Sequence, residues 1–276
     1  MSKDILPISV IIPCFRSAQT IRRAVDSVRF QTQLPTQILL IDDASNDGSL
    51  DILFELQGAY PELNIVVDSL DQNLGPGAAR NRGWDLATQP WLAFLDADDA
   101  WCPEKLELQW SWISAHIEAV LVGHENSEVL ADNTSKWHKQ DSGNVSSNEL
   151  IASRISFKKM LIANRFYTRT VMMLRSLPFR FSDRRYTEDY LLWLEIILAG
   201  YPGYVIHKEM AVTFRPEFSV GGFSAQLWTH EKRELRAWLY LFRQHQISLI
   251  ILLLAVPWSY LKYSRRVCKR FFHDYI

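Results

Sequence analysis

The chain has 276 residues, is 48% hydrophobic and carries a formal net charge of -1, which is length and core enough for one large domain, or for a domain with an appendage. That balance excludes a globally basic nucleic-acid binder, although nine Lys or Arg stand against two acidic residues between Trp228 and His273. Cys14, Cys102 and Cys268 form no C-x-x-C pair, so neither a disulfide framework nor a structural zinc site is indicated, and a reducing, cytoplasmic compartment fits. The opening MSKDILPISVIIP enters a strand-like run without the long apolar stretch or cleavage site of a secretory signal.

Ile8 to Ile12 (ISVII) predicts a buried strand ended by Pro13, and Ala18 to Phe30 a helix with Ile21, Val25 and Val28 on one face. Gln37 to Ile41 (QILLI) predicts a second buried strand running straight into DDASNDGS. A helix over Leu50 to Leu56, a strand over Asn64 to Val67 and a helix over Gly77 to Ala87 follow. Strand, helix and strand at this spacing make βαβ units, hence a parallel sheet. The stretch Trp91 to Ala100 (WLAFLDADDA) then breaks from an apolar strand into Asp96, Asp98 and Asp99. Read as extended chain, it projects Asp96 and Asp98 to one side, within reach of one hard divalent cation or its waters, with Asp99 facing away. A solvated turn that caps a helix over Pro103 to Ala115 would use the same residues.

Open parallel sheets bind ligands beyond the carboxyl ends of their strands. Pro13-Cys14-Phe15, Asp42-Asp43-Ala44-Ser45 and Asp96-Ala97-Asp98-Asp99 therefore point into one crevice. A dinucleotide-binding sheet would carry G-x-G-x-x-G after its first strand, where PCFRSAQ stands instead, and no G-x-x-x-x-G-K-[ST] phosphate loop occurs. Further on come a strand over Ala119 to Val122 and a polar segment from Gly123 to Asn148, read as irregular surface chain. A strand over Thr170 to Leu174 follows. After Thr187-Glu188-Asp189 a buried helix runs from Tyr190 to Ala199, closed by Gly200. Acids at that helix start suit capping and dipole complementarity as well as chemistry. The scattered His124, His138, His207, His230 and His245 read as ordinary polar or half-buried residues.

Five strings, VIIPCFRSAQTIRRAVDSV, LLIDDASNDGS, NLGPGAARNRGWDLA, WLAFLDADDAWCPEKL and TEDYLLWLEIILAG, occur in this order over most of residues 8 to 122 and 187 to 200. Together they resemble the family 2 glycosyltransferases with the glycosyltransferase A fold, as found in bacterial O-antigen and capsule assembly. The resemblance implies an α/β fold of the nucleotide-diphospho-sugar transferase type, with a mixed, mostly parallel central sheet flanked by helices. It implies transfer of a sugar from a nucleotide diphosphate donor, often a UDP-sugar, to an acceptor hydroxyl with inversion at the anomeric carbon. Carried over position by position, it puts Pro13 and Phe15 beside the nucleotide, has Asp43 accept a hydrogen bond from the base, and sets Asp96 on the ribose side. Asp98 becomes the direct ligand of Mn²⁺ or Mg²⁺, and Asp189 the general base. Arg80 fits a place near the diphosphate and equally that of a surface helix arginine, while Asp42, Asp99 and Glu188 cap and orient. These residue types match the chemistry: a sugar hydroxyl has a very high pKa, so a carboxylate must take its proton as the new bond forms. The departing nucleoside diphosphate gains charge that a metal offsets.

The Q-x-x-R-W signature and multiple spans of processive family members do not appear in the sequence, which favours one sugar added per encounter. At the carboxyl end, Ile247 to Val256 is too short for a bilayer span of about 20 residues, and Pro257 interrupts it. Lys262, Arg265, Arg266, Lys269 and Arg270 then fall on one helical face beside Leu261, Cys268, Phe271, Phe272 and Tyr275. Such a helix suits an anionic membrane surface; a core helix with a solvated basic tail, or an oligomer contact, is the other reading. The expected organisation is a catalytic domain over 1–222 and a helical, basic, membrane-associating extension over 223–276 with a C-terminal helical end. The enzyme would be peripheral on the inner face of the cell membrane, with a lipid-linked or oligosaccharide acceptor. Two other functions share these features: a sugar-phosphate nucleotidyltransferase, which would need a Gly-rich, Arg-containing loop after the first strand, and a non-catalytic sugar-nucleotide sensor at the membrane.

Overall fold

The computed structural model describes residues 3–128, 150–182, 186–214 and 227–275, with side chains up to 268. The expected boundary between 222 and 223, residues 129–148 of the polar segment and His138 lie outside these residues.

The amino-terminal half alternates strand and helix: β1 (Ile5–Cys14), α1 (Ile21–Arg29), β2 (Leu34–Asp42), α2 (Ser49–Ala59), β3 (Ile65–Ser69), α3 (Pro76–Leu86) and β4 (Trp91–Phe94). The four strands lie in the order β3-β2-β1-β4 and pair in parallel. Helices cover both faces, which is why ISVII and QILLI are continuous apolar runs rather than alternating ones. Side-chain alternation still sorts them. Ile8, Val10 and Ile12 join Ile38, Leu40 and the apolar stripe of α1 in one cluster, while Ile11, Leu39 and Ile41 join Trp84 and Phe94 in the other.

On the second face α3 lies so close to the sheet that a Cβ at Gly83 would stand 2.5 Å from Cγ2 of Ile11. Gly83→Ala is therefore expected to cost about 1–3 kcal/mol of stability by overpacking, read as a lower urea midpoint with unchanged slope.

The rest of the chain extends the sheet beyond β4. It comprises β5 (Asp99–Trp101), α4 (Lys105–Ala115), β6 (Leu121–Glu128), β7 (Ala152–Ile155), α5 (Phe157–Ile162), a 3-10 turn at Thr168–Thr170 and β8 (Met172–Leu174). After these come α6 (Glu188–Leu198), β9 (Gly203–Thr213), α7 (Leu227–Arg243) and α8 (Leu249–Tyr275). The order continues β4-β8-β6-β9-β5, with β7 also on β9; β8 runs antiparallel to both β4 and β6, and β6 parallel to β9. The sheet is mixed and mostly parallel in its first half, as expected. Gly200, at φ +88°, closes α6 as its position predicted.

Three expectations are corrected. Residues 123–128 are not irregular but belong to β6, which follows β9 through register shifts at His124 and Glu125; the partner strand lies some eighty residues away, and β9 has no counterpart in the sequence reading. Asp96 to Asp98 is not extended: the Asp99 N–H donates to the Asp96 carbonyl at 3.0 Å, closing a turn before β5. Finally, α8 continues through Pro257. Pro257 and Leu253 both face outward, so the backbone bond the proline removes lies on the solvent side, where water can take the freed carbonyl.

Candidate active site

The three polar turns do converge along the carboxyl edge of β1, β2 and β4. Pro13 is buried opposite Ile41, and Phe15, next after the strand, is 44% exposed. The loop that follows is laced to its neighbour: Arg16 N–H donates to Ser45 Oγ at 3.0 Å, Ser17 N–H to Ser49 Oγ at 2.8 Å and Ser45 N–H to Asp42 Oδ2 at 2.9 Å. Asp43 is buried, and its carboxylate organises the loop before α3. Oδ1 accepts the Leu74 N–H at 2.7 Å, and Oδ2 accepts Asn73 Nδ2 and the Gly75 N–H, each at 2.8 Å. Gly75, at φ +97°, then turns the chain into Pro76 at the start of α3.

One turn into α3 stands Arg80, and it is not a surface arginine: it is 5% exposed. Its Nη2 donates to Asp96 Oδ1 at 2.5 Å. Its guanidinium also lies in the field of Glu188 and Asp189, so that these carboxylates hold its charge against the cost of burial. Close packing makes this possible. A Cβ on Gly77 would meet the Ser182 carbonyl at 2.8 Å and Glu188 Cγ at 3.2 Å, so the starts of α3 and α6 abut.

Within the acidic turn the three aspartates have different surroundings. Asp99 is 2% exposed and paired with Arg169 at 3.2 Å. Burial, and then the nearby charges of Asp96 and Asp98, push its carboxyl up to about 7, against the pull of Arg169 and a hydrogen bond from Thr213. The backbone carbonyl of Asp98 accepts from Arg23 Nη2 at 2.6 Å, and that guanidinium lies 3.7 Å from the Phe214 ring centroid. Asp98 as a residue is half-buried. At the start of α6, Asp189 is half-buried, accepting from its neighbour Tyr190 N–H at 2.7 Å and from Thr168 Oγ1 at 3.4 Å. Burial and then the charge of Asp189 raise the pKa of Glu188.

The described residues hold no group of three or more His, Cys, Asp or Glu able to take a metal. The site nevertheless suits a cation that keeps most of its shell outside the protein. The repulsion that Asp99 feels from Asp96 and Asp98 is what such a cation relieves, and Asp99 Oδ1 is buried without a hydrogen-bond partner.

Arg23, Asn73, Thr168 and Arg169 belong to this site and were not assigned from the sequence. Asn73 lies inside NLGPGAARNRGWDLA. The others carry no local mark, because each meets the acids only through contacts across more than twenty residues.

A mixed sheet with an acidic turn at the end of its fourth strand and a second acidic pair on a later helix is the arrangement expected of the glycosyltransferase A fold. The chain belongs to glycosyl transferase family 2, whose model matches residues 9–186. It is 23% identical over 95% of its length, and 96% of the relative's, to the putative teichuronic acid biosynthesis glycosyltransferase TuaG of Bacillus subtilis. It is 28% identical to the UDP-Glc:alpha-D-GlcNAc-diphosphoundecaprenol beta-1,3-glucosyltransferase WfgD of Escherichia coli, over 69% of each chain. A 40% identity to an uncharacterised glycosyltransferase of Nostoc covers 37% of this chain and 31% of that one. Among solved structures, the mannosyltransferase PcManGT of Pyrobaculum calidifontis, in complex with GDP-Man and Mn²⁺, superposes with a TM-score of 0.67 at 17% identity, covering 97% of this chain and 76% of that one. TarS of S. aureus, in complex with UDP-GlcNAc, gives 0.64 at 19% identity, covering 86% and 67%. These likenesses establish the fold.

Proposed function

We propose that this chain is an inverting glycosyltransferase that moves one sugar per encounter from a nucleotide diphosphate sugar, a UDP-sugar first among them, to a hydroxyl of a lipid-linked saccharide during surface-polysaccharide assembly. One observation carries the reading: a buried guanidinium, Arg80, is shared by the acidic turn after β4 and the acids that open α6. Two acidic sites about ninety residues apart thus act on one guanidinium, which supports an in-line displacement with a base on one side and countercharge on the other.

In this reading Pro13, Phe15 and Asp43 line the base side, and Asp96 the ribose side. Arg80 is close to the diphosphate. Asp98 is the ligand for a divalent cation, Mn²⁺ or Mg²⁺, which supplies countercharge to the leaving diphosphate. Asp189 takes the proton of the acceptor hydroxyl while that hydroxyl's oxygen bonds to the anomeric carbon and the bond from that carbon to the diphosphate oxygen breaks. WfgD and TuaG support a lipid-linked, polysaccharide acceptor, and PcManGT supports the metal.

The test is a thermal-shift panel of nucleotide sugars with and without Mn²⁺, followed by donor hydrolysis. One donor is expected to raise Tm only with metal and to be hydrolysed slowly; no shift with any donor overturns the reading. Asp98→Ala is expected to weaken metal-dependent donor binding at least about tenfold. Calorimetry with and without Mn²⁺ checks it.

The reading extends to the membrane. On α8, Leu249, Ile250, Leu253, Leu254 and Leu261 are exposed at helical spacing, with Trp258 beside them. The charge pattern differs from expectation: Lys262 Nζ pairs with Glu234 at 2.5 Å and Arg266 with Glu231 at 3.3 Å, so both point into α7 rather than outward. Among the described side chains the outward basic group of this run is Arg265. The residues from 223 onward then form the membrane-associating part, with this stripe lying in an anionic inner leaflet. Among the described residues no helix is long and apolar enough to cross a membrane. Full-length protein is expected to sediment with anionic liposomes, and a Leu253→Glu, Leu254→Glu double variant to bind more than about tenfold more weakly. Equal binding by both, or self-association through this face in ultracentrifugation, overturns the membrane assignment.

A further inference from the structure

The 3-10 turn at Thr168–Thr170 touches both acidic sites at once. Thr168 Oγ1 donates to Asp189 Oδ2 at 3.4 Å, and the next residue, Arg169, bonds Asp99 Oδ2 through Nη1 at 3.2 Å. Successive side chains of such a turn point about 120° apart, so adjacent residues can serve two different acidic sites. The turn itself is clamped from several elements. Trp101 Nε1 of β5 donates to the Arg169 carbonyl at 2.7 Å, and Gln109 Nε2 of α4 donates to the Thr170 carbonyl at 3.1 Å and to the Val122 carbonyl of β6 at 2.8 Å. The Phe94 N–H of β4 donates to the Val171 carbonyl at 3.2 Å. Thr170 and Trp101 are fully buried, and Thr170 Oγ1 closes the turn on the Tyr167 carbonyl at 2.8 Å.

We propose that this turn is a positioning strut that sets the distance between the acidic turn after β4 and the carboxylate at the start of α6, with Arg169 and Thr168 as its two positioning residues. The inference rests on the reading of those two sites as donor-metal side and base side. Neither residue is assigned to the reacting atoms; each acts through the aspartate it holds. A buried Arg–Asp pair is a poor device for stability alone, since well-packed apolar residues in the same space are commonly as stable or more so. What the ion pair adds is direction: it pins Asp99 at one angle, and with it the turn that carries Asp98.

The two ends of the strut separate in kinetics. Thr168→Val is expected to lower kcat about tenfold, with donor KM unchanged, because Asp189 loses its hydroxyl donor and reorients. Arg169→Met is expected to raise donor KM on the order of tenfold and to depress Mn²⁺-dependent donor binding, with Arg169→Lys restoring part of it. The paired change Arg169→Met with Asp99→Leu, which removes both partners of the buried ion pair, is expected to keep the wild-type Tm and still lose donor affinity. If that double variant binds donor as the wild type does, or if Thr168→Val shifts KM and Tm rather than kcat, the strut is overturned and the turn is structural only. A wild-type chain that transfers no sugar from any donor fails the parent reading instead, whatever these variants do.

Discussion

Asp189→Asn is expected to reduce sugar transfer by about 10²–10⁴-fold while leaving donor affinity within about twofold. The substitution is nearly isosteric, and its amide oxygen can still accept from Thr168 Oγ1 or from the Tyr190 N–H, the two donors that hold the native side chain. What is lost is the capacity to take a proton. Folding should not suffer. Burial and then the charge of Asp189 raise the pKa of Glu188, so in the pH window between its unfolded and folded values the folded chain binds more protons there than the unfolded one. Stability therefore falls as pH rises from the ordinary carboxylate range through the raised value. Removing the neighbouring charge should shrink that slope, so the variant gains relative stability toward neutral pH. Single-turnover kinetics with saturating donor, donor calorimetry and urea denaturation at two pH values check the three statements. Turnover above a tenth of the wild-type rate would remove Asp189 from the role of base.

Arg80→Met is expected to cost about 3–5 kcal/mol of stability and to abolish activity. Its side chain is 7% exposed and bonds Asp96 at 2.5 Å, while Glu188 and Asp189 act on the same guanidinium. A methionine of similar length fills the space but leaves three half-buried carboxylates facing one another without a countercharge. Glu188, whose pKa burial and the charge of Asp189 already raise against the pull of Arg80, would bind its proton more tightly still in the folded variant, so the deficit should narrow as pH falls toward the carboxylate range. Arg80→Lys keeps the charge but not the fork, and should recover part of the stability and little of the activity. Urea midpoints at neutral and acidic pH measure this; a loss under about 1 kcal/mol would show that the guanidinium does not hold the two sites together.

How far the site was legible depends on the range of the interaction that builds it. Asp96, Asp98 and Asp99 stand out because an apolar strand breaks into them within ten residues, and the edge on which they lie follows from βαβ spacing. The geometry of that turn was not legible. Alternation assumes extended chain, whereas the Asp99 N–H folds back on the Asp96 carbonyl. Arg80 could not be distinguished from a surface arginine by its helix, since the Phe181 ring and the charges of Glu188 and Asp189 that surround it come about a hundred residues later. Lys262 and Arg266 read as outward basic residues because Glu231 and Glu234, which draw them inward, lie on another helix.

The sequence by itself determined the parallel half of the sheet, the helices that cover it and the positions of the acidic turns, because continuous apolar runs and 3.6-residue stripes record burial within a few residues. Only the tertiary structure decided the strand pairings of β5, β6 and β9, the passage of α8 through Pro257, the burial of Arg80 and the reach of the Thr168–Thr170 turn to both acidic sites. All but the proline's passage, which its solvent-facing side permits, are settled by a partner far along the chain, and neither a strand's neighbour nor an ion's countercharge leaves a periodicity in the residues around it.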